Sequence, residues 1–238
     1  MRDESRATVV CVHGAGGGGW EWSVWARVFA AAGFDVIAPD LQAASGGLRD
    51  TRYADYRAQV ARWCEGAGSG AVLLGASLGG LLALDAAHSA NAAALILVNP
   101  LPPTGIPGAA PHPPVVPWGR ERALSATRRA MADADDAACL YALRRWRDES
   151  GAVLDEAMRG VAFEKPDCPV LVLAAELDED VPASISGALA AALSADFVML
   201  RRAGHVGPLL GRTAAATAEH VAAWLLERLP GRNARARA

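Results

Sequence analysis

Runs of consecutive apolar residues alternate with stretches whose apolar positions recur at helical spacing, and that alternation leaves few folds open. Thr8-Val9-Val10-Cys11-Val12 offers no polar face to solvent, so the strand it encodes must be covered on both sides. Beyond the glycine-rich stretch Gly14 to Gly19, residues Trp20, Val24, Trp25, Val28, Phe29 and Ala32 recur at helical spacing as far as Gly33. Phe34 to Ala38 reads as a second strand, and Tyr53, Tyr56, Val60 and Cys64 mark one face of a second helix. Ala71 to Leu74 and Ala93 to Val98 read as the third and fourth strands, the latter ending at Asn99-Pro100. Pro169 to Ala174 is a fifth, followed by a helix over Pro182 to Leu193 and a sixth strand over Asp196 to Leu200. A last helix carries Val221, Trp224, Leu225 and Leu229. Repeated strand-helix-strand units demand right-handed crossovers. The expected class is α/β, a mainly parallel sheet of about six strands flanked by helices.

The rhythm breaks once. Leu101 to Pro117 is too rich in proline to continue a sheet or a helix. Arg120 to Phe163 is charged and alanine-rich, with Cys139, Leu143 and Trp146 at helical spacing. The expectation is a core over 1–100 and 165–232, a small, mainly helical cap inserted at 101–164, and a frayed tail at 233–238. No internal repeat is visible.

Composition narrows the function classes. The net charge of -3 suggests neither a nucleic-acid nor a membrane-surface partner. Lys165 is the only lysine, which removes most lysine chemistry. Cys11, Cys64, Cys139 and Cys168 lack C-x-x-C or other metal spacing and read as buried free thiols in a reducing compartment. Met1 to Arg6 is too polar for a signal peptide, and no apolar run reaches the roughly 18 residues of a membrane span. A cytoplasmic protein is expected.

Chemistry concentrates where the strands end, as it does in open α/β sheets. Gly75-Ala76-Ser77-Leu78-Gly79 is a G-x-S-x-G between the third strand and Gly80-Leu81-Leu82-Ala83-Leu84. Small residues two positions either side of the serine let the backbone bend sharply and lift its hydroxyl above the sheet edge. Asp178 follows the fifth strand and His205 the sixth, so the chain order is Ser, Asp, His. A serine is a weak nucleophile until a base takes its proton; neutral His205 suits that role, and a carboxylate on its other ring nitrogen fixes the tautomer. Asp178 is the expected acid and Asp180 the fallback, with Glu176 and Glu179 close by. The end of the fourth strand is another place for a triad acid in such folds, but it carries Asn99. A developing oxyanion needs fixed donors, expected to be the backbone N–H groups of Leu78 and of Ala15, in the loop after His13-Gly14. Gly16 to Gly19 read as letting that loop approach a substrate. Without a G-x-x-x-x-G-K-[ST] they do not suggest nucleotide binding.

His13-Gly14-Ala15, Ala38-Pro39-Asp40-Leu41, Gly75 to Gly80, Glu176-Leu177-Asp178 and Gly204-His205 together resemble the α/β-hydrolase superfamily over nearly all the chain outside the cap and tail. The resemblance is nearest to compact cofactor-independent serine esterases, including the branch shared by plant methylesterases and hydroxynitrile lyases. It implies the same triad and oxyanion donors, no cofactor, and a substrate pocket between cap and sheet. Ala76 replaces the histidine often found before the nucleophile, and strands that usually precede the first are missing. Val206 stands where the lyases carry a lysine after the triad histidine, which disfavours cyanohydrin cleavage.

Candidate pocket residues are Gly14, Gly16, Trp20, Trp118, Tyr141 and Trp146. Trp20 also fits the core face of its helix, and the other aromatics fit packing within the cap. His112, among prolines, reads as a solvated loop residue. The expected activity is hydrolysis of a carboxylic ester of a small or medium apolar substrate through an acyl-enzyme on Ser77. A thioesterase, a cyclase or carbon–carbon cleaving enzyme, and a receptor-like binder with little turnover are the alternatives.

Overall fold

The computed structural model describes residues 7–229; the tail expected at 233–238 lies outside the described residues, as do residues 1–6 and 230–232. Among those residues, six strands form one sheet: β1 (Thr8–Val12), β2 (Asp35–Ile37), β3 (Val72–Ala76), β4 (Ala94–Val98), β7 (Val170–Ala175) and β8 (Asp196–Leu200). Their spatial order is β2-β1-β3-β4-β7-β8 and every pairing is parallel. From β1, next to one edge, the chain adds β2 at that edge and then crosses back over β1 to build the rest of the sheet in sequence.

Strand alternation feeds two separate cores. Val10, Val12, Leu73, Leu95 and Val172 face the layer containing α2 (Tyr53–Ala67), α3 (Leu78–Ala87) and α7 (Ala183–Leu193). Val9, Cys11, Leu74, Ile96 and Leu171 face α1 (Ser23–Ala31) and α9 (Ala214–Arg228). Successive side chains point to opposite faces, so a strand covered twice must be apolar throughout. In the second core Trp22, Trp25 and Phe29 pack edge-on in succession, and Phe34 lies tilted against Phe29. The edge strand β8 obeys no such rule, and its Phe197 remains 41% exposed.

The helix expected from Trp20 onward is two pieces, a 3-10 turn over Gly19–Trp22 and then α1. The segment between β4 and β7 is helical, with α4 (Leu124–Ala130), α5 (Asp136–Leu143) and α6 (Gly151–Arg159), but it also holds a ribbon the sequence did not suggest. There β5 (Val115–Val116) pairs antiparallel with β6 (Glu149–Ser150). Two-residue strands carry no readable period, and only their distant partner defines them. Val153 and Ala157 of α6 are buried in the core shared with α2 and α3, which fastens the insertion to the sheet domain. All four cysteines are free thiols, and Cys168 is only half-buried. No helix among the described residues is long and apolar enough to cross a membrane.

Candidate active site

Between β3 and α3, Ser77 adopts φ 52° and ψ −121°, a left-sided conformation that costs a non-glycine residue about 1–3 kcal/mol. Surroundings hold it there. The Ser77 N–H donates to the Val98 carbonyl at 3.0 Å, and the Ser77 carbonyl accepts from the N–H groups of Gly80 (3.0 Å) and Leu101 (3.1 Å). The flanking glycines are obligatory for contact reasons. A Cβ on Gly75 would strike the Gly79 carbonyl, and one on Gly79 would strike the carbonyls of Val12 and His13. Leu78 is the first residue of the wholly buried α3, so its N–H has no intrahelical acceptor and sits at the positive end of the helix.

Across the cavity, the ring Nδ1 of His205 bonds Asp178 Oδ2 at 2.7 Å. The other oxygen of Asp178 accepts from the N–H groups of Asp180 (2.9 Å) and Val181 (2.8 Å). Two of the competing acids are engaged elsewhere, and the third serves Asp178 through its backbone. Glu176 receives Arg201 and the Arg202 N–H, Glu179 faces Arg129, and Asp180 lends its backbone to Asp178. Burial alone would drive the His205 pKa down. The bond and charge of Asp178, with the charge of Asp180, outweigh that and raise it above the ordinary histidine value. Asn99, at the end of β4, adopts φ 45° and bridges the two loops. Its Nδ2 donates to the His205 carbonyl and its Oδ1 accepts from the Ala175 N–H, both at 2.7 Å. An amide does this with one donor and one acceptor; a carboxylate could not donate. Asp178, Asp180 and His205 also present potential metal-ligand atoms within 4.8 Å of one another. Both Asp178 oxygens already accept from N–H groups, an environment made for the imidazole rather than for a cation.

The loop after β1 lies directly over the serine: a Cβ on Gly14 would sit 3.3 Å from Ser77 Cβ. His13 anchors the loop. Its Nδ1–H donates to the Gly14 carbonyl, which assigns Nε2 as the acceptor of the Leu41 N–H, both at 2.8 Å. Burial holds its pKa down to about 4, so the ring stays neutral, as this network needs. The insertion grips the next residues. The Arg147 N–H donates to the Gly16 carbonyl (2.8 Å) and its Nε to the Gly17 carbonyl (2.6 Å), while the Gly16 N–H donates to Glu149 Oε2 (2.9 Å). The remaining Glu149 oxygen accepts from the Tyr56 hydroxyl and the Ser150 N–H, each at 2.7 Å. The glycines therefore answer to protein neighbours. Gly16 (φ +65°) packs under the Trp118 ring, Gly17 against the Glu21 carboxyl and Gly19 against the Ala38 carbonyl.

Sequence reasoning missed three of these participants: Arg147, Glu149 and Glu21. Glu21 is 3% exposed, accepts a 3.3 Å bond from the Gly14 N–H, and borders the same cavity as Ser77 and His205. Burial pushes its pKa up to about 8, against the opposing pull of Gly14, His205 and Arg147. It is a neutral acid at pH 7. A glutamate between two tryptophans in a helical pattern gives no signal of this, since its burial depends on the loop above it.

Ser77, His205, Gly14, Ala15, Trp118 and Trp146 border one cavity of about 390 Å³. Gly16, Trp20 and Tyr141 lie outside its lining. Trp20 instead packs edge-on against Tyr141 (5.8 Å) and Trp146 (5.2 Å), behind the wall. His112, read from sequence as solvated, borders the cavity and bonds Asp155.

The fold has many solved neighbours. A monoacylglycerol lipase from Paleococcus ferrophilus superposes with TM-score 0.72 at 19% identity, covering 93% of this chain and 94% of that one. A pyrethroid hydrolase gives 0.70 at 21%, covering 92% and 97%. A methylesterase from Arabidopsis gives 0.69 at 16%, covering 94% and 99%. At such identities the likeness establishes fold alone. No curated protein sequence matches the chain. A family model does, over residues 9–220, from β1 to within α9 and across every loop described above. The chain belongs to the alpha/beta hydrolase family.

Proposed function

We propose that the protein is a serine hydrolase that cleaves a carboxylic ester of a small or medium apolar substrate through an acyl-enzyme on Ser77. One observation carries this reading: a strained serine and an imidazole already bonded to a buried carboxylate border the same largely apolar cavity. His205 Nε2 takes the Ser77 proton as Oγ attacks the ester carbonyl. The resulting oxyanion is met by the N–H groups of Ala15 and Leu78, each donor contributing on the order of 3 kcal/mol. Collapse expels the alcohol, which takes the proton back from His205. Water then attacks the acyl-enzyme with His205 again as base, releasing the acid and restoring Ser77. Asp178 holds the imidazole in the tautomer both steps require. The insertion serves as a cap, supplying Trp118, Trp146 and Leu154 as the apolar roof. An ester is the preferred bond because the cavity lining is mainly apolar and because neighbours named lipase and methylesterase share the fold.

The test is covalent labelling with a fluorophosphonate probe alongside turnover of p-nitrophenyl butyrate. The wild-type chain should label and hydrolyse, and Ser77→Ala should do neither. Labelling that persists in the variant would remove Ser77 from the mechanism.

A further inference from the structure

The cavity wall formed by α6 and the segments beside it is apolar at Leu101, Leu154 and Met158, and the polar residue set among them is His112. Its Nδ1 and its backbone N–H both bond Asp155 Oδ1, at 2.7 and 3.0 Å. Asp155 projects from the middle of α6 and is three-quarters buried, 24% of its side chain being exposed. The two bonds from His112 hold its carboxyl below the usual carboxylate range. Prolines at 111, 113 and 114 fix the backbone around the histidine. Gly151, at the head of α6, lets that segment approach so closely that a Cβ would strike the Pro113 carbonyl. The imidazole is thus held at Nδ1, on a backbone fixed by its prolines, before any ligand arrives.

We propose that His112 is a specificity residue that accepts a hydrogen bond from a hydroxyl carried by the substrate away from its scissile carbonyl. The chemistry follows from the pairing. An Nδ1–H committed to Asp155 leaves Nε2 with a lone pair, an acceptor and not a donor. A polar group set among apolar side chains orients a ligand by rejecting poses that leave it unpaired. A substrate carboxylate fits less well: Glu121 and Asp180 also border the cavity, and the guanidinium that does, Arg129, faces Glu179 at 3.5 Å. Met158 lines both this cavity and a second one of about 340 Å³ against Thr104 to Pro111, which Asp155 also borders. The inference rests on the cavity's being the ester site proposed above and names the substrate class it selects.

The test compares p-nitrophenyl butyrate and hexanoate with their 3-hydroxy and 6-hydroxy counterparts, as kcat/KM ratios within each protein. A ratio internal to one protein cancels any loss of folded material. The wild-type chain should favour at least one hydroxylated ester about five- to tenfold. His112→Phe should bring that ratio to about one, and Asp155→Asn, which frees the tautomer, should lower it. No preference at either chain length, a preference that survives His112→Phe, or a preference for the matching ω-carboxyl ester would overturn the assignment. Equilibrium binding of methyl ketones with and without the hydroxyl, to wild type and His112→Phe, reads the same ratio without turnover. It decides the anchor even if Ser77→Ala shows the serine mechanism to be wrong.

Discussion

Two backbone segments meet at the reacting carbonyl in the proposed mechanism, and they are held in opposite ways. The turn at Ser77 is fixed by its immediate neighbours: glycines two positions either side, a bond to the adjacent strand, and a fully buried helix after it. The loop from Gly14 to Gly19 sits against that turn but is fixed from far away. Arg147 and Glu149, at least 130 residues downstream, supply three of its bonds, and the flanking His13 and Glu21 supply others. A local turn can be strained because every contact that enforces it forms when the strand and helix do. A loop held by an insertion is only as well ordered as that insertion's docking, so the oxyanion donor proposed at Ala15 is exposed to changes made elsewhere.

The largest test of that contrast is on the turn itself. Ser77→Ala should lower kcat for p-nitrophenyl esters by about 10⁶, because triad members act as a unit. Next, Asp178→Asn should lower kcat roughly 10³- to 10⁴-fold through the wrong imidazole tautomer. Asp180→Asn keeps the backbone N–H that Asp178 uses and should cost far less; the reverse ranking would reassign the acid. On the remote side, Glu149→Ala strands the Gly16 N–H and the Tyr56 hydroxyl. If the insertion holds the oxyanion loop, kcat should fall by about 10², the effect of weakening one donor, with Ser77 still in place. Unchanged kcat would show the loop to be self-supporting.

Two smaller effects depend on pH. His205 must be neutral to act as base and its pKa is raised, so the acid limb of kcat/KM should lie above the ordinary histidine value of about 6.5. A limb at or below that value would mean Asp178 does not govern the ring. Glu21 should register in stability. Its folded pKa, about 8, exceeds the ordinary 4.5, so between those values the native state holds a proton the unfolded chain has lost. The stability Glu21 confers is full below about 4.5 and drains away as pH rises through about 8. Glu21→Gln should therefore melt close to wild type at pH 5 and higher at pH 9. Parallel melting curves would show that the carboxyl is not buried neutral.

Much of the fold was legible before any coordinates. Thr8–Val12 and Asp196–Leu200 fall where the apolar runs place them, and the four residues read as one face of α2 are its buried residues. The Asp178–His205 pairing followed from chain order and strand ends. The β5–β6 ribbon, the break before α1 and the bond from His112 to Asp155 did not, because each depends on partners that no local period marks.

Sequence by itself determined the strands, the order of the chemistry-bearing residues along the chain, and the tight turn that presents Ser77, since short-range sterics and apolar periodicity write these locally. Only the tertiary structure decided what surrounds them: that Arg147 and Glu149 hold the glycine-rich loop, that Glu21 is buried as a neutral acid, and that His112 faces the cavity. Those outcomes depend on burial and on hydrogen bonds between distant segments, and neither exists until the insertion has packed against the sheet.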